Sequence, residues 1–231
     1  MLENTLKYKK DNNIERIPKF KELDQRLWES RHAWSVPGTR SKNGQGIMYV
    51  IPARLIPKDF RDNDYKAIME FQYWMVMKGS FCDGHIDTQR NGVIIVEDLK
   101  GLSMKHFDMK LQKKSGTMTD TFPMRVKKII LLNPPTILKA MLAIAKLFMK
   151  KKLFKRIEIL KDESQLLEYI DKSQLHQDFG GDLTYSVDDW AQFVEEYAAR
   201  TEGDNVKKPK KKSKKKSPKS KPKKEESSTS A

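Results

Sequence analysis

Residues 87–98 read DTQRNGVIIVED. Asn91-Gly92 is a turn signal, because both residue types tolerate positive φ. Val93, Ile94, Ile95 and Val96 then form an unbroken β-branched run. Such a run, without alternation, suits a strand buried on both faces, as in a parallel sheet covered by helices.

Outward from this strand the chain alternates. Residues 47–53 (IMYVIPA) read as the preceding strand, ended by Pro52. Residues 36–46 read as a turn-rich link around Val36-Pro37-Gly38, and residues 65–78 as a helix turning Ile68, Phe71 and Met75 towards the sheet. On the C-terminal side, residues 104–120 are mostly helical but thin in apolar content, and Gly116 weakens them. Val126–Leu132 is a second buried strand. Asn133-Pro134-Pro135 stops it and opens a helix over residues 136–152. Residues 157–160 form a further strand, Gly180-Gly181 closes the α/β part, and residues 187–197 form a last helix packing through Trp190, Phe193 and Val194. The order β-α-β-α-β-α-β predicts an α/β fold with a mostly parallel sheet and right-handed crossovers. Residues 1–34 read as a basic helical region with too few apolar residues to stand alone, residues 35–203 as the folded domain and residues 204–231 as a disordered Lys-rich tail.

The charge is concentrated in that tail. From Val206 to Ala231 twelve Lys face two Glu, so the tail carries +10 of the net +15. The mean hydropathy of −0.72 is low partly for the same reason. A Lys-rich tail suits non-specific contact with nucleic acid, nuclear import or an anionic membrane by the same electrostatics. It has no aromatic to stack on bases, so sequence readout is not expected. Cys82 is the single cysteine, which excludes an intramolecular disulfide, fits a reducing compartment and reads as a bystander thiol. No secretory h-region and no apolar run of spanning length are present. A cytoplasmic monomer, at most peripherally associated with membranes, is expected.

The usual signatures of catalysis are missing. There is no GxGxxG, GxxxxGK[ST] or GxSxG, and His32, His85, His106 and His176 have no metal-ligand spacing. Neither cofactor nor metal is expected. Asp83, His85 and Asp87 read as solvated loop side chains. Glu97-Asp98 ends a strand, where a carboxylate can be catalytic in an open sheet, but Asp98 reads more simply as a turn cap. Two basic stretches remain: Arg125, Lys127 and Lys128 lead into a strand, and residues 150–156 (KKKLFKR) follow the most apolar helix. Lys152 and Arg156 share a face if that helix continues. Apolar surface beside concentrated positive charge suits an anionic membrane.

The segments DTQRNGVIIVEDLKG, TDTFPMRVKKIILLNPP, KLFMKKKLFKRIEIL and the DFGG ending at Gly181 resemble, in order and spacing, the CRAL-TRIO lipid-binding domain, in particular its α-tocopherol and retinaldehyde transfer branch. The resemblance spans roughly residues 36–183. It implies a cage: a sheet as the floor of an apolar cavity, and helices closing over one hydrophobic lipid. The apolar helix after the Pro-Pro pair would be the gate, with Ile137, Leu138, Met141, Leu142, Ala145 and Phe148 facing ligand or membrane. It further implies a basic patch for phosphatidylinositol bisphosphate, falling here on Arg125, Lys127, Lys152 and Arg156. Of the family's preceding three-helix domain only the last helix, near residues 6–13, has a counterpart, and the segment between His106 and Phe122 is shorter and more polar than the family pattern. The function expected is non-enzymatic binding and transfer of a lipid. The alternatives are a membrane-targeting module without transfer, or nucleic-acid binding by the tail.

Overall fold

The computed structural model describes residues 2–12, 14–16, 18–76, 86–118 and 125–203. The tail, the loop containing Cys82, Asp83 and His85, and the Phe122-Pro123 pair lie outside the described residues.

Five strands form one sheet in sequence order: β1 (Ala33–Arg40), β2 (Gly46–Val50), β3 (Val93–Asp98), β4 (Val126–Leu132) and β5 (Ile157–Ile159). The pairs β2–β3, β3–β4 and β4–β5 are parallel, as the alternating pattern predicts. β1 was read as a link and is instead an antiparallel edge strand on β2. Pro37 and Gly38 are tolerated there because an edge strand has an unpaired side, and the register shifts between Ser35 and Arg40.

The helices are α1 (Leu2–Asp11), α2 (Gln25–Glu29), α3 (Lys66–Trp74), α4 (Ile86–Asn91), α5 (Met109–Met118), α6 (Leu138–Phe148), α7 (Lys151–Phe154) and α8 (Val187–Gly203). Asn91-Gly92 is therefore no free turn. Gly92 ends α4 at φ 82°, its N–H donating to the Thr88 carbonyl as a helix C-cap. The helix read over residues 136–152 is broken. Met149 and Lys150 are extended, and α7 is a separate turn.

The two faces of the sheet are covered differently. Ile94, Val96, Ile130 and Leu132 turn into a large core with Trp34, Tyr49, Phe71, Trp74, Phe179 and Trp190. Tyr8, Ile14 and Leu27 from the N-terminal region bury in this same core. Val93, Val126, Ile129 and Leu131 face a smaller cluster with Leu99, Leu102, Leu138 and Leu153. Val126 shares a face with Ile129 because the register against β3 slips between Val93 and Ile94, leaving Lys127 as an extra residue.

Ile130 lies fully buried on the packed face. Ile130→Ala should lower the unfolding free energy by about 2–5 kcal/mol, read as a lower urea midpoint at unchanged slope.

Candidate functional site

Beneath the smaller cluster lies a cavity of about 360 Å³. Its floor is the sheet: Val50 of β2, Glu97 of β3, Ile129 and Leu131 of β4, and Ile157 of β5. α5 contributes Leu111, Gln112 and Ser115, and α6 contributes Leu138, Met141, Leu142 and Ala145. Pro52, Leu55 and Pro57 form one wall, and Leu99, Leu102 and Phe107 another. Four of the six candidate gate residues thus line one cavity. Positions 138, 141, 142 and 145 follow helical spacing and form one stripe. The other two stand elsewhere: Ile137 is the residue capping α6, and half-buried Phe148 lies against α5.

Gly116, which weakens α5 by propensity, allows that contact. A Cβ there would come within 2.8 Å of the Phe148 carbonyl oxygen and 3.0 Å of its Cβ. Away from the stripe, α6 exposes Lys139, Ala140, Ala143, Lys146 and Leu147, the last 74% exposed.

α5 is tied down firmly at its start. One Asp108 carboxylate oxygen accepts the N–H groups of Lys110 and Leu111, each at 3.0 Å. The other accepts from Arg61 at 2.9 Å and from the Tyr65 hydroxyl at 2.8 Å. Burial pushes Asp108 up, but the bonds from Leu111, Arg61 and Tyr65 outweigh it and hold the carboxyl at about 2. Asn63, Asp64 and Tyr65 have φ of 51°, 58° and 63°, a strained left-handed turn. Lys110 and Lys114 clamp Asp64 of that turn onto α5. α6 has no comparable tether among the described residues.

The basic residues sit along one edge of the smaller cluster. Arg125 and Lys127 flank buried Val126, and Lys152 precedes buried Leu153. All three are exposed. Lys127 is the bulged residue, and its stem crosses Gly92, where an added Cβ would lie 3.1 Å from Lys127 Cγ. Arg125 donates to the Arg90 carbonyl at 3.3 Å. Arg156 differs: it is half-buried, lies beyond the end of α7, and donates to the Val126 carbonyl. It therefore does not share a helical face with Lys152. Lys128 is engaged by Glu158 and stacks over Tyr169 at 4.0 Å.

Three titratable groups line the cavity without a signature motif in the sequence: Glu97, His32 and His106. Glu97 stands opposite Val50 on one side and Leu131 on the other. Burial pushes its carboxyl up to about 7, and it has no hydrogen-bond or ionic partner among the described residues. The period-2 relation of Val93, Ile95 and Glu97 was the available signal, since it places Glu97 on the cavity face. Asp98 points elsewhere and caps the next turn, accepting from the Lys100 N–H at 2.9 Å and Asn133 Nδ2 at 2.8 Å. His32 also lines the cavity, 2.7 Å from Ser30 Oγ, and burial lowers it to about 4. Among the described residues no three His, Cys, Asp or Glu gather as metal ligands.

A mostly apolar cavity of this volume between a parallel sheet and two helices has the dimensions of a small-molecule site. The family profile described as CRAL/TRIO domain matches residues 32–181, and this chain belongs to that family, whose members generally bind or transfer lipids and are typically non-enzymatic. A CRAL-TRIO domain-containing protein of Dictyostelium discoideum is 39% identical over 164 residues, covering 68% of this chain and 62% of its own length. The human alpha-tocopherol transfer protein-like protein is 36% identical over 100 residues, covering 41% of this chain and 29% of its own length. The chain thus spans less than two thirds of these relatives. The crystal structure of Sfh5 superposes with a TM-score of 0.59 at 16% identity, covering 89% of this chain and 76% of Sfh5.

The proton on Glu97 links the site to stability. The folded state binds this proton more tightly than the unfolded chain, whose value is 4.5. Glu97 therefore costs nothing below that pH and destabilises increasingly as pH rises towards 7. His32 acts in the opposite sense, losing stability as pH falls from 6.5 towards 4. Glu97→Gln should leave stability unchanged near pH 4.5 and raise it by on the order of 3 kcal/mol at pH 8, measured by urea unfolding across that range.

Proposed function

We propose that this chain is a non-enzymatic carrier or sensor that encloses one hydrophobic lipid and docks on phosphoinositide-containing membranes. The observation that carries this reading is the cavity between the sheet and α5–α6, bordered on one edge by exposed cations. An apolar molecule seated on Val50, Ile129, Leu131 and Ile157 would be sealed by Leu138, Met141, Leu142 and Ala145. α6 is the natural gate. Its inner stripe serves the ligand, its outer surface carries Leu147 with Lys139 and Lys146, and it lacks the polar clamp that holds α5. Displacing it towards a bilayer would exchange cavity contacts for lipid contacts at little hydrophobic cost.

The headgroup reading rests on Arg125, Lys127, Lys152 and Arg156. Arg suits bidentate phosphate contact and Lys acts as a point charge. Exposed Lys127 and Lys152 would turn towards a headgroup, and Arg125 would exchange its bond to the Arg90 carbonyl for one to phosphate. Arg156 holds the start of β4 through Val126 and would contact phosphate with its remaining donors. The Lys-rich residues beyond 206 would add non-specific attraction to anionic surfaces. No helix among the described residues is long and apolar enough to cross a membrane, so the attachment proposed is peripheral, at the cytoplasmic face.

Arg125→Ala, Lys127→Ala and Lys152→Ala together should weaken sedimentation with bisphosphate-containing liposomes at least tenfold. This set avoids Arg156, whose truncation would strip a hydrogen bond from β4. Native mass spectrometry should show the same co-purifying lipid, at one per chain, in wild type and triple variant. Equal liposome binding would remove the headgroup assignment, and a cavity without lipid would favour a targeting module.

A further inference from the structure

Charge along this chain falls into three blocks. Residues 1–156 carry thirty-one Lys and Arg against sixteen Asp and Glu. Residues 157–203 reverse the balance, with twelve Asp and Glu against Lys161, Lys172 and Arg200, a net −9. Residues 207–224 then hold twelve Lys and no acidic residue. The acidic block is also a block in space. Its apolar residues Leu166, Ile170, Leu175, Phe179, Trp190 and Val194 pack into the aromatic core, so it covers the face of the sheet opposite the cavity. Ten of its twelve acidic residues are exposed, among them Asp188, Asp189, Glu195 and Glu196 of α8. α8 packs on β1, the edge strand furthest from β5 in the sheet order.

The cationic rim stands at the other extreme. Arg125 and Lys127 flank the first residue of β4, and Lys152 lies in α7 just before β5, all at the edge of the smaller cluster. Rim and α8 are therefore on opposite faces and towards opposite edges of the sheet. An acidic face cannot lie against an anionic bilayer, because like charges repel within the Debye length of about 8 Å. With the rim on such a bilayer, the acidic block is turned away from it. Residues 204–231 follow the end of α8 at Gly203, on that far side. These twenty-eight residues span at most about 95 Å. A return to the same bilayer would carry the Lys run past the exposed carboxylates, which offset its charge on the way. Outwards there is no such counter-charge, and each Lys near an anionic surface strengthens binding about fivefold. The run has no aromatic to stack on bases. The rim already suits an anionic bilayer, so the chemistry favours a second bilayer over nucleic acid as the occupant.

We infer that one chain bridges two anionic membranes, holding one through Arg125, Lys127 and Lys152 and the other through the Lys run at residues 207–224. The inference rests on the headgroup reading above and adds a second membrane contact on the far side of the body. The acidic block keeps the two contacts apart. For a molecule that moves a lipid, this gathers the donor and acceptor membranes on one chain. The effective concentration of the second surface rises once the first is bound.

The test uses phosphatidylcholine vesicles containing phosphatidylserine and phosphatidylinositol bisphosphate. Three proteins are compared: the full chain, a chain ending at Asn205, and the triple variant Arg125→Ala, Lys127→Ala, Lys152→Ala. Sedimentation reads binding, and dynamic light scattering reads clustering. The full chain should raise the apparent vesicle diameter about threefold or more, and an excess of chain should reverse this, because separate molecules then saturate every surface. The chain ending at Asn205 should still sediment through the rim, without clustering. The triple variant, left with the tail alone, should not cluster either. Sedimentation of the full chain without clustering overturns the inference and leaves the headgroup reading standing. Clustering unchanged by either alteration also overturns it. Loss of sedimentation in the chain ending at Asn205 removes the inference and the headgroup reading together, since the tail would then be the whole membrane contact. Absence of sedimentation by the full chain does the same. Dissolution of the clusters by a short DNA duplex at equal phosphate charge overturns the inference and assigns the tail to nucleic acid.

Discussion

The structure depends on one constraint: a parallel strand of β-branched residues must be covered on both faces. Val93–Asp98 stands at the centre of the sheet, and the chain supplies its two covers unequally. On one face Trp34, Trp74, Trp190, Phe71 and Phe179 supply bulk from β1, α3, α8 and the 3-10 turn Gln177–Phe179. Each aromatic side chain of this kind buries about 150–250 Å². On the other face the cover is α5 and α6, both lean. α5 is largely Lys, Gln and Ser, and α6 buries only Leu138 fully. Stability is thus concentrated on the first face, which leaves the second free to hold an incompletely filled space.

The edge of that second face is where charge gathers, and backbone detail arranges it. The extra residue at Lys127 restores Val126 to the cavity side and pushes the lysine outwards. Gly92 makes room for the lysine stem and for the Arg125 carbonyl at a positive φ. A single irregularity therefore sets both the apolar floor and the cationic rim. Lys128, one residue on, is consumed by Glu158 and Tyr169. Equal charges in sequence become unequal in role because the strand decides which of them reach solvent.

Much of this was legible from the residues. β3 and β4 read directly as buried runs, because strands covered on both sides need no alternation. The cavity-lining stripe of α6 was legible as residues at helical spacing, although Phe148 belongs to the α5 contact at Gly116 and Ile137 to the cap. β1 was not legible. Pro37 and Gly38 carry the local signals of a turn, and only the free side of an edge strand makes them acceptable. The break at Met149–Lys150 was equally hidden, since both residue types are good helix formers and the backbone there leaves the helix without proline or glycine.

The sequence by itself determined the alternation of strands and helices, the central position of residues 93–96, the apolar excess of α6 and the basic residues around it. These are written in period, propensity and charge, which act locally along the chain. Only the tertiary structure decided that the N-terminal region shares the aromatic core, that Arg156 holds the backbone of β4, and that Glu97 stands without a described partner in a cavity. Those outcomes depend on which distant residues meet, and a carboxylate's environment is set by neighbours from other segments, such as Val50 and Leu131, rather than by the residues beside it in the chain.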